Sequence, residues 1–142
     1  ASFVGPLGTV PGFARVITNC RDYTKLMQML ANGGMHNGEH ILGRKTIDLI
    51  RTNTLAPTMI KEDFSNDYLA GYGYGYGMRT LMNRYEGQHN GMLGQFGWTG
   101  GSGTWAECDP ETGLSIVYMH NLQPNLEQYH HLRMREVAYG CL

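Results

Sequence analysis

Apolar positions at helical spacing mark the beginning of the patterned part of the chain. Thr18 or Asn19 can cap a helix, Gly33 and Gly34 end it, and its apolar positions follow one stripe (Leu26, Met27, Met29, Leu30). Asn37-Gly38, between short flanking segments, predicts a two-residue β-hairpin. The chain therefore opens with a helix followed by a tight hairpin.

A second helix is predicted over about residues 44–52, and the polar, acidic stretch 60–69 predicts a loop. At residues 71–78 the period changes to two, in the run GYGYGYGM. We interpret this run as a strand with glycines on one face, where another element packs closely, and tyrosines on the other (Tyr72, Tyr74, Tyr76). The run does not match the G-x-G-x-x-G pattern of a nucleotide-binding loop.

The second half of the chain is predicted to form strands followed by a helix. Strands are predicted at 92–98, 104–108 and 114–120, with a turn over 109–113. Helical spacing resumes after Pro124 and continues to Gly140. We predict an α+β fold in one domain over residues 1–142. It has an irregular leading segment at 1–17 and an antiparallel sheet of about four strands, with two helices before it and one after.

Composition narrows the class of partner. The 142 residues are 42% hydrophobic and 16% charged, with a net charge of -1, which is typical of a globular chain. Neither nucleic acid nor an anionic membrane is indicated as a partner. No apolar run approaches the roughly 20 residues of a membrane span, and no signal peptide is visible at the start.

Histidine and cysteine positions do not predict a metal site. His36 and His40 stand on either side of the Asn-Gly turn, while His130 and His131 are adjacent and point to different sides of a helix, so we expect solvated surface positions. The three cysteines are far apart in sequence and are expected to be free, partly buried thiols (Cys20, Cys108, Cys141). We expect no metal and no cofactor.

Two further catalytic candidates are weak. Ser102 in GGSGT resembles a nucleophile elbow, but residue 104 is Thr and a strand follows where the elbow requires a helix. Asp109 and Glu111 could pair as acid and base, yet they lie in a predicted turn, where solvated carboxylates are expected.

The stretch FGWTGGSGTW, residues 96–105, combines four glycines with two tryptophans. The glycines are either turn residues between two strands or a bare backbone that something must approach closely. The residues of this stretch alone leave both interpretations open.

Five segments, in this order, resemble the carboxy-terminal part of the serine β-lactamase and penicillin-binding-protein superfamily, especially its class C-like hydrolases and esterases: DYTKLMQMLANGG, ILGRKTIDLIRTNTL, GYGYGYGM, FGWTGGSGTW and DPETGLSIVYMHNL. The resemblance covers about residues 12–138. It implies a partial β-lactamase/transpeptidase-like fold and acyl-enzyme chemistry on an ester, an amide or a β-lactam. It also favours the cleft interpretation of the glycines.

By this resemblance, Trp98, Thr99 and Gly100 occupy the position of the K-T-G motif, which is W-x-G in some esterases, and bind substrate. The Gly101 amide corresponds to one of two oxyanion-hole donors. Trp98 replaces the cation that would hold a substrate carboxylate, which favours uncharged substrates.

The nucleophile motif S-x-x-K and the second motif, Y-x-N or S-x-N, are absent from the 142 residues. We therefore expect a carboxy-terminal portion of a serine hydrolase that is inactive alone and forms a homodimer. The full-length parent would act on a small-molecule or peptidoglycan-like substrate. The alternative is a stand-alone, non-catalytic interaction module or pseudoenzyme, and an upstream S-x-x-K in the parent gene would distinguish the two. The resemblance slightly favours an extracytoplasmic location, which the sequence itself does not establish.

Overall fold

The computed structural model describes residues 16–64 and 68–142. Most of the expected leading segment, residues 1–15, lies outside the described residues. The elements in chain order are α1 (Cys20–Ala31), β1 (Met35–His36), β2 (Glu39–His40), α2 (Arg44–Ile50), α3 (Pro57–Asp63), β3 (Tyr72–Tyr74), β4 (Arg79–Leu81), α4 (Arg84–Gly87), β5 (Phe96–Thr99), β6 (Trp105–Asp109), β7 (Leu114–Tyr118) and α5 (Glu127–Tyr139).

The main sheet is an antiparallel meander of five strands in the order β3-β4-β5-β6-β7. Strands β1 and β2 form a separate two-stranded hairpin, in which Asn37 and Gly38 have φ values of 50° and 84°. Positive φ at both central residues is typical of a type I′ turn, so the hairpin prediction is confirmed. The α+β class is also confirmed.

One face of the sheet packs on α1 through an apolar core. Asn19 caps this helix, because its side chain accepts a hydrogen bond from the Asp22 amide. The core joins the buried side of α1 to Ile47 of α2 and to alternate residues of β5 and β6 (Met27, Met29, Leu30, Ala31, Phe96, Ala106, Cys108). Burial of these side chains is the main apolar contribution to the fold.

The other face of the sheet packs on α5 through polar and aromatic side chains. Four residues of helix advance about 6 Å and two residues of strand about 6.8 Å, so positions four apart on α5 can follow positions two apart on β6. Three successive contacts do so: His131 stacks on Trp105, Arg135 binds Glu107 and Tyr139 binds Asp109. Both faces of β6 are therefore covered.

The two edges of the sheet differ. At the β3 edge the Tyr74 amide donates to Asn53 Oδ1 and the Tyr74 carbonyl accepts from the Thr54 amide, at 3.0 and 2.9 Å. A Cβ on Gly75 would lie 2.0 Å from the Ile50 carbonyl oxygen, so the bare glycine face does allow a close approach, as predicted. At the opposite edge, β7 pairs with β6 and with no other strand of residues 16–64 and 68–142.

Three local expectations were wrong. The stretch predicted as a loop from residue 60 begins inside helix α3, whose first residue is Pro57. The strand predicted over 71–78 ends at Tyr74 and turns back into β4, so Tyr76 lies outside the strand and is 67% exposed. The sheet consequently has five strands where about four were expected, with the extra helix α3 before the sheet and the short α4 within it.

No helix within residues 16–64 and 68–142 is long and apolar enough to cross a membrane.

Candidate active site

Strand β5, which contains Trp98 and Thr99, is paired over different lengths along its two sides. On the β6 side the pairing runs from Phe96 to Thr99, whereas on the β4 side it covers only Phe96 and Gly97. Trp98 and Thr99 therefore extend beyond the last residue of β5 that pairs with β4.

The hydrogen-bond alternation of β5 shows which main-chain groups face that side. The Gln95 carbonyl accepts from the Leu81 amide of β4 at 2.9 Å, and the Gly100 amide donates to the Thr104 carbonyl on the β6 side at 2.7 Å. In an antiparallel ladder, successive residues direct their peptide groups to opposite sides. The N–H and C=O of Thr99 thus face the β4 side, where Thr99 has no strand partner among the described residues.

A turn joins β5 to β6, and the structural reasons for glycine differ between its positions. Gly103 has a φ of 91°, and a Cβ on Gly100 would lie 2.2 Å from Thr104 Oγ1. Gly101 is exposed, is not among the positive-φ residues, and has nothing within 4 Å of a Cβ placed on it. Its amide donates no hydrogen bond within the described residues. The positive φ therefore favours glycine at 103, a side chain at 100 would displace the Thr104 hydroxyl, and the turn itself places no such restriction on 101.

Aromatic rings lie beside strand β5. The exposed fraction of Trp98 is 38%, and its ring centroid is 5.1 Å from that of Tyr74 in an edge-to-face arrangement. Phe64 packs on Tyr74 in the same way at 5.9 Å. Trp98 is therefore part of an aromatic row with Tyr74 and Phe64.

The β5–β6 turn rests on the chain that follows β7. The Ser102 carbonyl accepts from the Leu122 amide at 3.0 Å, and Gln123 Nε2 donates to Ser102 Oγ at 3.4 Å. His131 Nε2 lies 2.9 Å from the Gly103 carbonyl oxygen. His131 is only 3% exposed, so its predicted solvated position was wrong, whereas His130 is half-buried.

A buried ionic cluster connects β6 to α5 and β4. Glu107 accepts two hydrogen bonds from the Arg135 guanidinium, both at 3.1 Å, and Arg79 Nη2 lies 3.8 Å from Glu107 Oε2. Gln95 Nε2 and Trp105 Nε1 also donate to this carboxylate. Burial alone would raise the pKa of Glu107, but the two guanidinium groups outweigh it, and the pKa lies below its ordinary value.

Next to this cluster, Tyr72 and His89 are joined by a 2.8 Å hydrogen bond between Tyr72 Oη and His89 Nε2. Burial, together with the nearby Arg135, lowers the pKa of His89 to about 4. Burial and the charge of Glu107 raise the pKa of Tyr72 to about 12. Both groups are therefore neutral near pH 7.

The other sequence candidates have varied outcomes. A strand follows Ser102, as expected, so the strand–turn–helix setting of a nucleophile elbow is missing. Asp109 was expected to be solvated but is fully buried, and its carboxylate accepts hydrogen bonds from Tyr139 Oη and from the Glu111 amide, both at 2.9 Å. The three cysteines are free, and Cys108 is the buried one. Within the described ranges, no three His, Cys, Asp or Glu side chains are placed to hold a metal ion.

The sequence reasoning missed Glu107, Arg79 and Arg135. A usable signal was present: polar or aromatic residues alternate along β6, and polar or aromatic residues also recur every four positions on α5. Matched periodicities of this kind indicate a polar interface between a helix and a strand.

Comparisons with known proteins identify the family of the chain. The Beta-lactamase family model matches residues 3–139. Protein Rv1367c of Mycobacterium tuberculosis is 28% identical over 109 residues, which cover 74% of this chain and 27% of that protein.

Solved structures are similar as well. EstCE1, a hydrolase with promiscuous acyltransferase activity, matches with a TM-score of 0.67 and 22% identity, over 86% of this chain and 30% of its own. A penicillin-binding protein homolog from Caulobacter crescentus matches with a TM-score of 0.62 and 24% identity, over 82% of this chain and 30% of its own. The chain thus spans under a third of the length of these three relatives. Since the family model covers nearly all of its residues, the chain belongs to the Beta-lactamase family.

Proposed function

We propose that this chain forms one wall of the acyl cleft in a serine hydrolase of the β-lactamase/penicillin-binding-protein type. The observation that carries the proposal is the exposed Gly101 just after β5, whose amide donates no hydrogen bond within the described residues. Beside it, the N–H and C=O of Thr99 face the side of β5 on which Thr99 is not paired with β4. Family membership supports it.

In the proposed reaction a serine hydroxyl, supplied by an S-x-x-K segment outside these 142 residues, attacks the carbonyl carbon of an ester, amide or β-lactam. The leaving group departs with a proton, and water then hydrolyses the acyl-enzyme. Gly101 N–H stabilises the oxyanion, and the main chain of Thr99 and Gly100 aligns the substrate beside Trp98. The chain alone is therefore inactive.

The substrate class follows from Trp98. A hydrogen bond from a charged group contributes about 1.5–3 kcal/mol, so the absence of the K-T-G cation weakens binding of a carboxylate-bearing substrate by roughly ten- to a hundredfold. The aromatic row of Trp98, Tyr74 and Phe64 favours uncharged esters or amides with an apolar group. An uncharged small-molecule substrate fits this description, whereas a peptidoglycan-like substrate fits it only if the group that faces Trp98 is not a free carboxylate.

The test compares the 142-residue chain with a longer parent chain that contains S-x-x-K. A fluorescent penicillin should acylate the parent chain, and the parent chain should hydrolyse p-nitrophenyl esters. The shorter chain should do neither. Stoichiometric labelling of the shorter chain would contradict the assignment of the nucleophile to another segment.

Within the parent, Gly101→Val should lower kcat by about a hundred- to a thousandfold, because the β-branched side chain crowds the oxyanion donor. Gly43→Val is the matched control, since Gly43 is also exposed, has a φ of -69° and lies at the start of α2. Equal kcat in the two variants would show that Gly101 is a turn residue only.

The alternative function, a non-catalytic interaction module, is favoured by one observation, the outer edge of β7. Among the described residues this strand pairs with β6 and with no other strand, it carries no charged residue (LSIVY), and an unpaired edge recruits other strands. We propose that the isolated chain forms a two-fold dimer by antiparallel pairing of β7 with β7.

Sedimentation at micromolar concentration tests the dimer. Ser115→Lys places like charges near each other across the joint and should give monomers, whereas Thr58→Lys adds the same charge on exposed α3 and should not. A monomeric unmodified chain would contradict the dimer.

A further inference from the structure

We propose that His131 of α5 is a positioning residue that fixes the direction of the Gly101 amide through the β5–β6 turn. The inference deepens the proposed function. The positioning is inferred from the geometry of the turn, whereas its effect on catalysis rests on the role proposed for Gly101.

The hydrogen bond from His131 fixes its tautomer. A carbonyl oxygen only accepts, so at 2.9 Å from the Gly103 oxygen His131 Nε2 must carry the hydrogen. His131 Nδ1 has no hydrogen-bond partner among the described residues, and the nearest carboxylate oxygen, Glu127 Oε1, is 3.9 Å away. The ring stacks on Trp105 with centroids 5.3 Å apart and planes 19° apart. The imidazole is therefore a neutral donor held in one orientation, in agreement with a pKa that burial lowers.

From His131 the constraint passes to Gly101 in three steps. His131 holds the Gly103 carbonyl, and the Gly103 amide donates to the Gly100 carbonyl at 2.9 Å. The Gly100–Gly101 peptide bond is not among the cis bonds, so it is trans and planar. The Gly101 N–H then points opposite to the Gly100 C=O, away from the inside of the turn. Fixing one carbonyl thus aims the candidate oxyanion donor.

A second contact acts on the same turn. The Leu122 amide holds the Ser102 carbonyl at 3.0 Å, and this carbonyl shares a peptide plane with the Gly103 N–H that donates to Gly100. The Gly103 carbonyl, which His131 holds, lies in the next peptide plane. Gly103 has a φ of 91° and no side chain to restrict rotation between the two planes, so the His131 hydrogen bond limits the motion that the Leu122 contact leaves free.

Amide hydrogen exchange, measured by NMR on the 142-residue chain, tests the inference. His131→Phe keeps an aromatic ring on Trp105 but removes the donor, and should speed exchange of the Gly103 amide by roughly two- to tenfold. His131→Gln restores an N–H donor and should stay within about twofold of the original rate by the same reasoning. The Gly113 amide, which donates to the Asp109 carbonyl at 2.9 Å in the next hairpin, is the matched control and should not change in either variant.

An unchanged Gly103 rate in His131→Phe would overturn the inference. So would an equal rise at Gly103 and Gly113, because this would show a loss of global stability only. A long-range ¹H–¹⁵N spectrum should show the hydrogen on His131 Nε2, and a hydrogen on Nδ1 alone would also overturn it.

The link to catalysis has its own test in the longer parent. There His131→Phe should lower kcat for an ester with KM little changed, and His131→Gln should restore kcat. A parent that is never acylated would refute the proposed function and leave the exchange result intact. Normal kcat in His131→Phe, alongside faster Gly103 exchange, would refute the catalytic consequence of the positioning.

Discussion

Replacing Glu107 with Gln tests the buried ionic cluster directly. The substitution keeps the shape of the side chain and removes its charge, although Arg135 and Arg79, 1% and 2% exposed, remain in place. Breaking a buried ion pair from one side costs about 3–5 kcal/mol, because it leaves an uncompensated charge in the interior. We expect a loss of stability in this range.

Urea unfolding followed by circular dichroism measures the loss. With an m-value of about 2 kcal/mol per M, the midpoint should fall by roughly 2 M. Glu111→Gln is the control, since Glu111 is exposed in the β6–β7 turn, and should stay within about 0.5 kcal/mol of the unsubstituted chain.

A double variant completes the cycle. Glu107→Met with Arg135→Met should cost at least about 1 kcal/mol less than the sum of the two single variants, because the partners are removed together. A loss below about 1 kcal/mol for Glu107→Gln would refute the view that the cluster holds α5 on the sheet.

Three further predictions concern pH, glycine and specificity. The pKa of His89 falls from 6.5 to about 4 on folding, so its contribution to the free energy of unfolding is complete above about pH 6.5. Up to about 3 kcal/mol of that free energy is lost as the pH falls through 4. Unfolding measured at several pH values should therefore show a weaker pH dependence of stability for His89→Gln. Gly97→Ala should cost about 1–3 kcal/mol, since its Cβ would lie 2.1 Å from a carbonyl oxygen of β6, and Gly101→Ala should be near neutral in the same unfolding assay. In the parent, Trp98→Lys should improve binding of a carboxylate-bearing β-lactam by roughly ten- to a hundredfold, and unchanged acylation kinetics would show that Trp98 does not face the carboxylate.

Local chemistry made much of the fold predictable from the sequence. The Asn37-Gly38 turn and the strands after residue 90 follow from dipeptide and period-two signals that act over a few residues. Helix α3 was missed because the stretch 60–69 is polar and acidic, whereas the helix begins at Pro57, a residue type that is favoured in the first helical position. The alternation of Tyr and Gly also continues beyond β3 into the β3–β4 turn, so the sequence pattern gives no sign that the strand ends there.

The site was predictable only in part. The run from Trp98 to Gly101 could be singled out because its glycines are unusual for a strand, but the register that leaves Thr99 without a β4 partner depends on where another strand begins. The burial of Glu107 and of His131 depends on contacts between α5 and the β5–β6 region, and their partners Arg135 and Gly103 are each 28 residues away in sequence. No local pattern specifies which distant side chain neutralises a buried charge.

Because β6 is covered on both faces, the protein has two interiors of different chemistry. The α1 side is held by apolar contact, which weakens on cooling and responds little to protonation. The α5 side is held by the Glu107 carboxylate, two guanidinium groups and the His131 imidazole, and acid protonates the carboxylate and the imidazole. Acid and cold therefore act first on opposite faces of the same strand, and acid loosens the face that supports the β5–β6 turn while the apolar core remains assembled.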